Sequence, residues 1–293
     1  MREVAEFITG ELEPKASGVV EYRLHRTLAA AVTGLALSAS GLAIQYSLRN
    51  PLADPYIMGV SSTAALAVLG LYYLAEHPSP WQVYTVAFIG GLAGVAASTL
   101  IAILLGLSGT ALIVAGVSVS YLAGGLSMIL ALRLGDKVPM ALSWLFGTVA
   151  YTVPSEIVYS SIGAVAGVAW IALLSRRMNT LILGEEAAEG LGARVRVLRV
   201  EAAVAASLAT SSVVALAGPV GFIGLAGPWL ARLLAGAVFS RVLPVALASG
   251  ALLTVVSDVV VRLVGGGEIP LTAVTSVYGG LVLYYLVARG RSL

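Results

Sequence analysis

The chain has 293 residues, of which 59% are hydrophobic and only 11% charged, with a mean hydropathy of +0.96. A soluble domain carries about 25% charged residues, so this composition excludes one. The absence of cysteine excludes disulfides and thiolate metal sites, and a net charge of +2 argues against a nucleic acid or a broad anionic partner.

What remains is an all-α polytopic membrane protein. A transmembrane β-barrel would alternate polar and apolar residues in ~10-residue strands, whereas the apolar blocks here are long and continuous. The 33 glycines fit closely packed membrane helices.

Residues 1–22 form a polar N-terminal tail with five glutamates (Glu3, Glu6, Glu11, Glu13, Glu21) and no apolar core of a cleavable signal. Residues 23–293 are expected to form one transmembrane domain. A first crossing is expected from Thr27 to Leu48. The stretch RNPLADPYIMGVSS, Arg49 to Ser62, then sets Pro51 and Pro55 close together beside Asn50 and Asp54. It cannot be uninterrupted helix. Apolar sequence resumes at Ile57, so this broken backbone lies at membrane depth, where it is tolerated only if protein buries it or it lines a cavity. It is a candidate pore element.

Further crossings are expected over 57–74, 81–105 and 111–132, separated by the loop Glu76–Pro80 and a tight turn ending at Thr110. The last of these carries Ser118, Ser120 and Ser127. Such serines bond back to the preceding turn or line a polar passage, and both readings stay open. Met140 to Val153 is too short to span, and reads as a half-buried or surface helix. A crossing over 157–174 leads to the densest charge run after the tail, Arg176 to Glu201.

That run reads as a knob of two short helices and a turn. Asn179 or Thr180 would cap the first, Gly184 would end it, Glu185 and Glu186 would sit at the next N-terminus, and Gly190 and Gly192 would break the second. It suits docking to another protein or an ordinary cytoplasmic loop. Crossings over 202–216, 243–264 and 271–287 follow. The first two are separated by GPVGFIGLAGPWLARLL (Gly218 to Leu234), whose glycines and prolines predict discontinuous helices. The count is about nine crossings. With the knob inside, Arg49, Arg176, Arg177, Arg194, Arg196, Arg199, Arg232, Arg241, Arg289 and Arg291 lie inside, and Arg133, Lys137 and Arg262 outside.

Catalysis is not expected of this chain. It contains only His25 and His77, neither with a metal-ligand neighbour, and it has no P-loop. The intramembrane acid Asp258 is either functional or the i, i+4 ion-pair partner of Arg262.

Three stretches together resemble the signature segments of the FecCD-type permeases: NPLADPYIMGVSS, MNTLILGEEAAEGLG and GPVGFIGLAGPWLARLL. The likeness continues through DVVVRL and EIP, over about residues 22–289. These permeases are the membrane subunits of type II ABC importers for cobalamin, iron–siderophores and haem. The resemblance implies a homodimer of nine to ten helices per chain, two ATPase subunits that bind ATP and Mg, an extracytoplasmic substrate-binding protein, and a place in the cell membrane. It implies no cofactor in this chain.

By resemblance, coupling helices at about 178–193 seat in the ATPase through Asn179, Thr180, Leu183, Gly184, Glu185, Glu186, Leu191 and Gly192. Asn50, Pro51 and Leu52 match the family's cytoplasmic gate, Ser108, Gly109 and Thr110 a second gate segment, and Ser118 and Ser120 would line the passage. Arg23, Arg26 and Arg262 match outer arginines that meet the binding protein. Three departures stand out: the family's further leading helix is not present, Trp229 follows Pro228 where the family has histidine, and Thr272 replaces a common glycine. The competing class is an ion-gradient-driven secondary transporter, which would depend on a midplane carboxylate such as Asp258.

Overall fold

The computed structural model describes residues 14–265 and 269–289. Arg2, the tail glutamates up to Glu13, residues 266–268 and Arg291 lie outside the described residues. Among the described residues every regular element is a helix. They are α1 (Pro14–Leu48), α2 (Val60–Leu74), α3 (Pro80–Leu104), α4 (Gly109–Arg133), α5 (Val138–Leu145), α6 (Pro154–Thr180), α7 (Glu185–Gly190), α8 (Val195–Ala217), α9 (Ile223–Ala235), α10 (Phe239–Gly265) and α11 (Leu271–Arg289), with 3₁₀ turns at Pro55–Met58, Gly135–Lys137 and Leu181–Leu183. Six of them (α1, α3, α4, α6, α8, α10) are long and apolar enough to cross a membrane, and α2, α9 and α11 are shorter apolar helices. The chain is a multi-pass membrane protein.

Local chemistry sets the helix starts. Ser79 and Gln82 form a reciprocal capping box ahead of Pro80 at the start of α3. The Ser108 hydroxyl accepts from the Ala111 amide (3.0 Å) and begins α4. Glu156 reaches back to the Val153 amide (3.2 Å) at the start of α6.

Helices α1 and α8 form the centre. Of the most apolar stretch of each, 72% and 78% is buried, against 28% for α4. α8 is mostly buried because it presents small side chains over most of its surface, among them Ala202, Ala205, Ala206, Ala209, Thr210 and Ser211. α10 packs closely on α1, and Ser38 donates to the Ala246 carbonyl across that contact (2.6 Å). Polar groups satisfied across helices hold a bundle in which lipid removes the usual apolar driving force.

Several expectations change. α1 begins at Pro14, so Pro14 to Tyr22 of the expected tail is helical. The broken segment is a 3₁₀ turn capped by Asp54, whose carboxylate accepts from the Tyr56 amide (2.8 Å). Gly59, at φ +87, separates that turn from α2. The turn is buried by protein: a side chain on Gly116 of α4 would meet the Ile57 carbonyl at 2.0 Å, and one on Gly224 would meet Pro55 at 2.5 Å. Tyr56 also donates to the Val220 carbonyl (3.1 Å).

Of Met140 to Val153 only the first part is helical. The rest folds back on two helix ends, through Thr148 N to the Ala217 carbonyl (2.7 Å) and Leu271 N to the Gly147 carbonyl (2.9 Å). After Gly218 the chain is irregular as expected, yet α9 runs through Pro228 without breaking. Proline has no N–H for the carbonyl four residues back. That carbonyl, Gly224 O, accepts from Gln45 Nε2 of α1 instead (3.2 Å), and Gln45 in turn accepts from Arg232 (2.5 Å).

Candidate functional site

The charged run divides differently from its sequence reading. Asn179 and Thr180 do not start a helix; they are the last residues of α6. The reason is local. The Thr180 hydroxyl bonds back to the Arg177 carbonyl (2.7 Å), while Asn179 turns outward and brackets the start of α10. Its Nδ2 donates to Ser240 Oγ and its Oδ1 accepts from the Ser240 amide, both at 3.2 Å. Leu181–Leu183 is one 3₁₀ turn, Gly184 breaks it at φ +105, and α7 carries Glu185 and Glu186 in its first turn. Gly192 (φ +85) follows, and α8 takes over at Val195. Arg194 to Glu201 therefore belongs to a membrane helix and its cap. Ile182, Leu183 and Leu191 are exposed at 42%, 64% and 67%, beside exposed Glu186 and Glu189.

Two chain reversals lie at the same end of the bundle. α1 ends with Arg49 N bonded to the Tyr46 carbonyl and Asn50 N to the Gln45 carbonyl, a Schellman closure with Arg49 at φ +51 where glycine is usual. Asn50 Oδ1 then accepts from Leu52 N (3.0 Å), which turns Asn50–Leu52 away from the helix axis. α3 closes in the same way, with Gly106 at φ +88 and Leu107 at φ +55, and leads directly to Ser108. A side-chain carbon added at Gly109 would lie 3.6 Å from the Leu48 carbonyl oxygen, so the two reversals adjoin.

One buried side chain joins them to the knob. Arg199 is 2% exposed. Its Nε donates to the Ser47 carbonyl (3.2 Å), its Nη1 to the Leu107 carbonyl (3.3 Å), and its Nη2 to Glu185. It caps the C-terminus of α1, whose last carbonyls lack intrahelical partners and carry negative dipole charge, and holds the reversal that follows α3. Sequence reading gave Arg199 no role. The available signal was its register: Val195, Leu198, Arg199 and Ala202, at offsets 0, 3, 4 and 7, share the apolar face of α8.

The opposite end carries Arg23, Arg26 and Arg262. Asp258 is fully buried and both its oxygens are engaged, by Arg26 Nε (2.6 Å) and Arg262 Nε (2.7 Å). Arg262 also donates to Thr27 Oγ1 (3.0 Å), and Arg26 to Tyr22 (3.2 Å). The i, i+4 pair expected from sequence is present, but Arg26 joins it and is 4% exposed. A guanidinium spent on a buried carboxylate is not presented to a docking partner, so of the three arginines only Arg23 is fully exposed and Arg262 partly so. Lys137 lies at this end too and caps α2 through the Tyr72 and Ala75 carbonyls.

Ser118 is exposed on α4 and bonds back to the Val114 carbonyl (2.8 Å); Ser120 and Ser127 are half-buried along the same helix. Around Ser118 the exposed face is Val114, Val117, Tyr121, Leu122 and Gly125.

The FecCD transport family matches residues 1–289. The chain belongs to that family. It is 34% identical over 276 residues to the iron(3+)-hydroxamate import system permease protein FhuB of Bacillus subtilis, covering 92% of this chain and 71% of that one. It is 34% identical over 277 residues to the vitamin B12 import system permease protein BtuC of Vibrio cholerae, covering 93% and 83%. A solved metal-chelate type ABC transporter in an inward-facing conformation superposes with a TM-score of 0.87 at 28% identity, covering 95% of this chain and 90% of that chain. As a FecCD protein the chain is a permease component of an ABC importer, a transport subunit rather than an enzyme.

Two departures from the family pattern have local partners. Trp229 packs edge-on against Tyr285 of α11 (centroids 5.7 Å apart). Thr272 donates to the Pro219 carbonyl (2.8 Å) and ties the start of α11 to the loop before α9.

Proposed function

We propose that this chain is the membrane-spanning subunit of an ATP-driven importer that carries an iron chelate (siderophore or haem) or cobalamin across the cell membrane into the cytoplasm. Two copies form the passage, two separate ATPase subunits bind ATP and Mg at the knob end, and an extracytoplasmic binding protein delivers the chelate at the Arg23–Arg262 end. Counting α2, α9 and α11 as crossings beside the six long helices gives nine.

The observation that carries the reading is the knob itself. Exposed leucines flanking a short helix that carries exposed glutamates, held between two long helices, suit a cleft on a nucleotide-driven partner. Arg177 pairs with Glu201 (2.6 Å) and stiffens its base. ATP binding that favours one packing of the dimer would shift the bundle between two arrangements. The chelator already satisfies the metal, so hydroxyls and small side chains such as Thr110, Ser118 and Ser120 suffice to line the way. A gradient-driven carrier would instead depend on a carboxylate free to load and release a cation, and Asp258 is held by two arginines.

The test is co-purification with candidate ATPase subunits, then vanadate-sensitive ATP hydrolysis and uptake in liposomes, with ferric hydroxamate, ferric citrate, haem and cobalamin each offered on a binding protein. Stimulation by one loaded binding protein supports the reading and names the cargo. Replacing Leu183 and Leu191 with aspartate should abolish ATPase association while the solubilised chain stays folded. Retained association in that double variant overturns the knob's role.

A further inference from the structure

Arg199 sits where three elements of the chain meet. Its carrier, α8, is the most buried of the six long helices and passes through the middle of the bundle. Its guanidinium is buried, yet each of its three nitrogens points to a different element: Nε to the last turn of α1, Nη1 to the reversal that ends α3, Nη2 to the first residue of α7. Glu185 is the only one of the three partners that is a side chain, and it is half-exposed on the knob. Of the two backbone partners, Leu107 is itself in the left-handed region at φ +55, and Ser47 lies two residues before Arg49 at φ +51; non-glycine residues there cost free energy unless neighbours hold them.

We propose that Arg199 is the positioning residue that transmits displacement of the knob to both gate turns, Asn50–Leu52 and Ser108–Thr110, together. This rests on the reading of the chain as an ATP-driven permease. When the partner ATPase moves α7, Glu185 draws on the guanidinium. The planar fork cannot shift one of its bonds without disturbing the others, so the carbonyls of Ser47 and Leu107 follow. Ser47 is three residues before Asn50 and Leu107 directly precedes Ser108, so both turns reorganise as one. A buried guanidinium fixed to carbonyls at the end of α1 and in the reversal after α3 is a rigid link; a lysine, with one ammonium, can satisfy only part of the set.

The experiment uses the full complex of this chain with its ATPase subunits and binding protein in liposomes. The chain has no cysteine, so Leu52→Cys and Thr110→Cys, both exposed, can carry nitroxide labels at the two gates. Uptake, ATP hydrolysis and the label-to-label distances with and without ATP and vanadate are then compared in R199M and R199K. The expected result is intact assembly and ATP hydrolysis, uptake reduced about tenfold in both variants, and loss of the ATP-dependent distance change at both gates.

Normal distance changes at both gates in assembled R199M overturn the proposal. So does recovery of wild-type uptake in R199K, because a merely charged or space-filling role would be rescued by lysine. If R199M fails to assemble, R199K decides: it keeps the buried charge but not the planar fork, and wild-type distance changes at both gates there overturn the link. A wild-type chain that neither binds an ATPase nor takes up a chelate would defeat the permease reading itself, an outcome separate from these.

Discussion

Gly34 of α1 and Gly250 of α10 face each other, and each leaves room for the other's backbone. A side chain added at Gly34 would lie 2.2 Å from the Gly250 carbonyl oxygen, and one at Gly250 would lie 2.3 Å from the Gly34 carbonyl oxygen. Backbone cannot give way as a flexible side chain can, so the helices would have to part. Gly250→Ala should lower stability by about 1–3 kcal/mol, and Gly250→Val by more. Gly70, on α2, has nothing within 4 Å of the added carbon. There alanine should be neutral or stabilising by about 0.5–1 kcal/mol, because glycine costs entropy in a helix interior. Thermal unfolding of the solubilised chain measures both, and an unchanged midpoint in Gly250→Val would refute the close contact.

Asp258 is the counter-ion of two arginines, one of them almost fully buried. Removing it leaves Arg26 with a buried charge facing no carboxylate. Asp258→Ala should cost about 3–5 kcal/mol, and the double replacement R26M/D258L should recover much of that loss. Unfolding midpoints of the single and double variants form the cycle. A double variant as unstable as D258A would show that the ion pair is not what Asp258 supplies.

Asn179 caps α10 from a different helix. Asn179→Ala should lose about 0.5–1.5 kcal/mol with its two bonds to Ser240. Asn179→Asp keeps the acceptor for the Ser240 amide and adds a negative charge at a helix N-terminus, so it should lose less. The order Asn, Asp, Ala in unfolding midpoint is the expected result; Asp below Ala would contradict the cap.

Thr272 and Trp229, the departures from the pattern that the resemblance implied, each make a contact of their own. Thr272→Val removes the hydroxyl bonded to Pro219 O and should cost about 1 kcal/mol. Trp229→His removes most of the edge-on contact with Tyr285, a pair of the kind that contributes about 0.5–1.5 kcal/mol. Neither should alter ATPase association, because both lie away from the knob, and equal pull-down with wild type is the check.

The sequence by itself determined what composition and backbone rules dictate. Long apolar blocks with few charges require membrane helices, two prolines beside asparagine and aspartate at Asn50–Pro55 forbid continuous helix, and glycines at 184 and 192 end the short elements of the knob. Each of these follows from a residue's own backbone or its transfer free energy, so no knowledge of neighbours is needed. The tertiary structure alone decided which polar groups meet. Pro228 interrupts no helix because Gln45, far away in the chain, takes the carbonyl it leaves unbonded. Arg26 looked like an exposed docking arginine and is buried because Asp258, on another helix, faces it. Arg199 looked like one more charge in a polar loop, and became the joint between α1, α3 and α7 only when those three ends converged on it. A buried polar group must find a partner, and where that partner is distant in sequence the local pattern records the demand and not the answer.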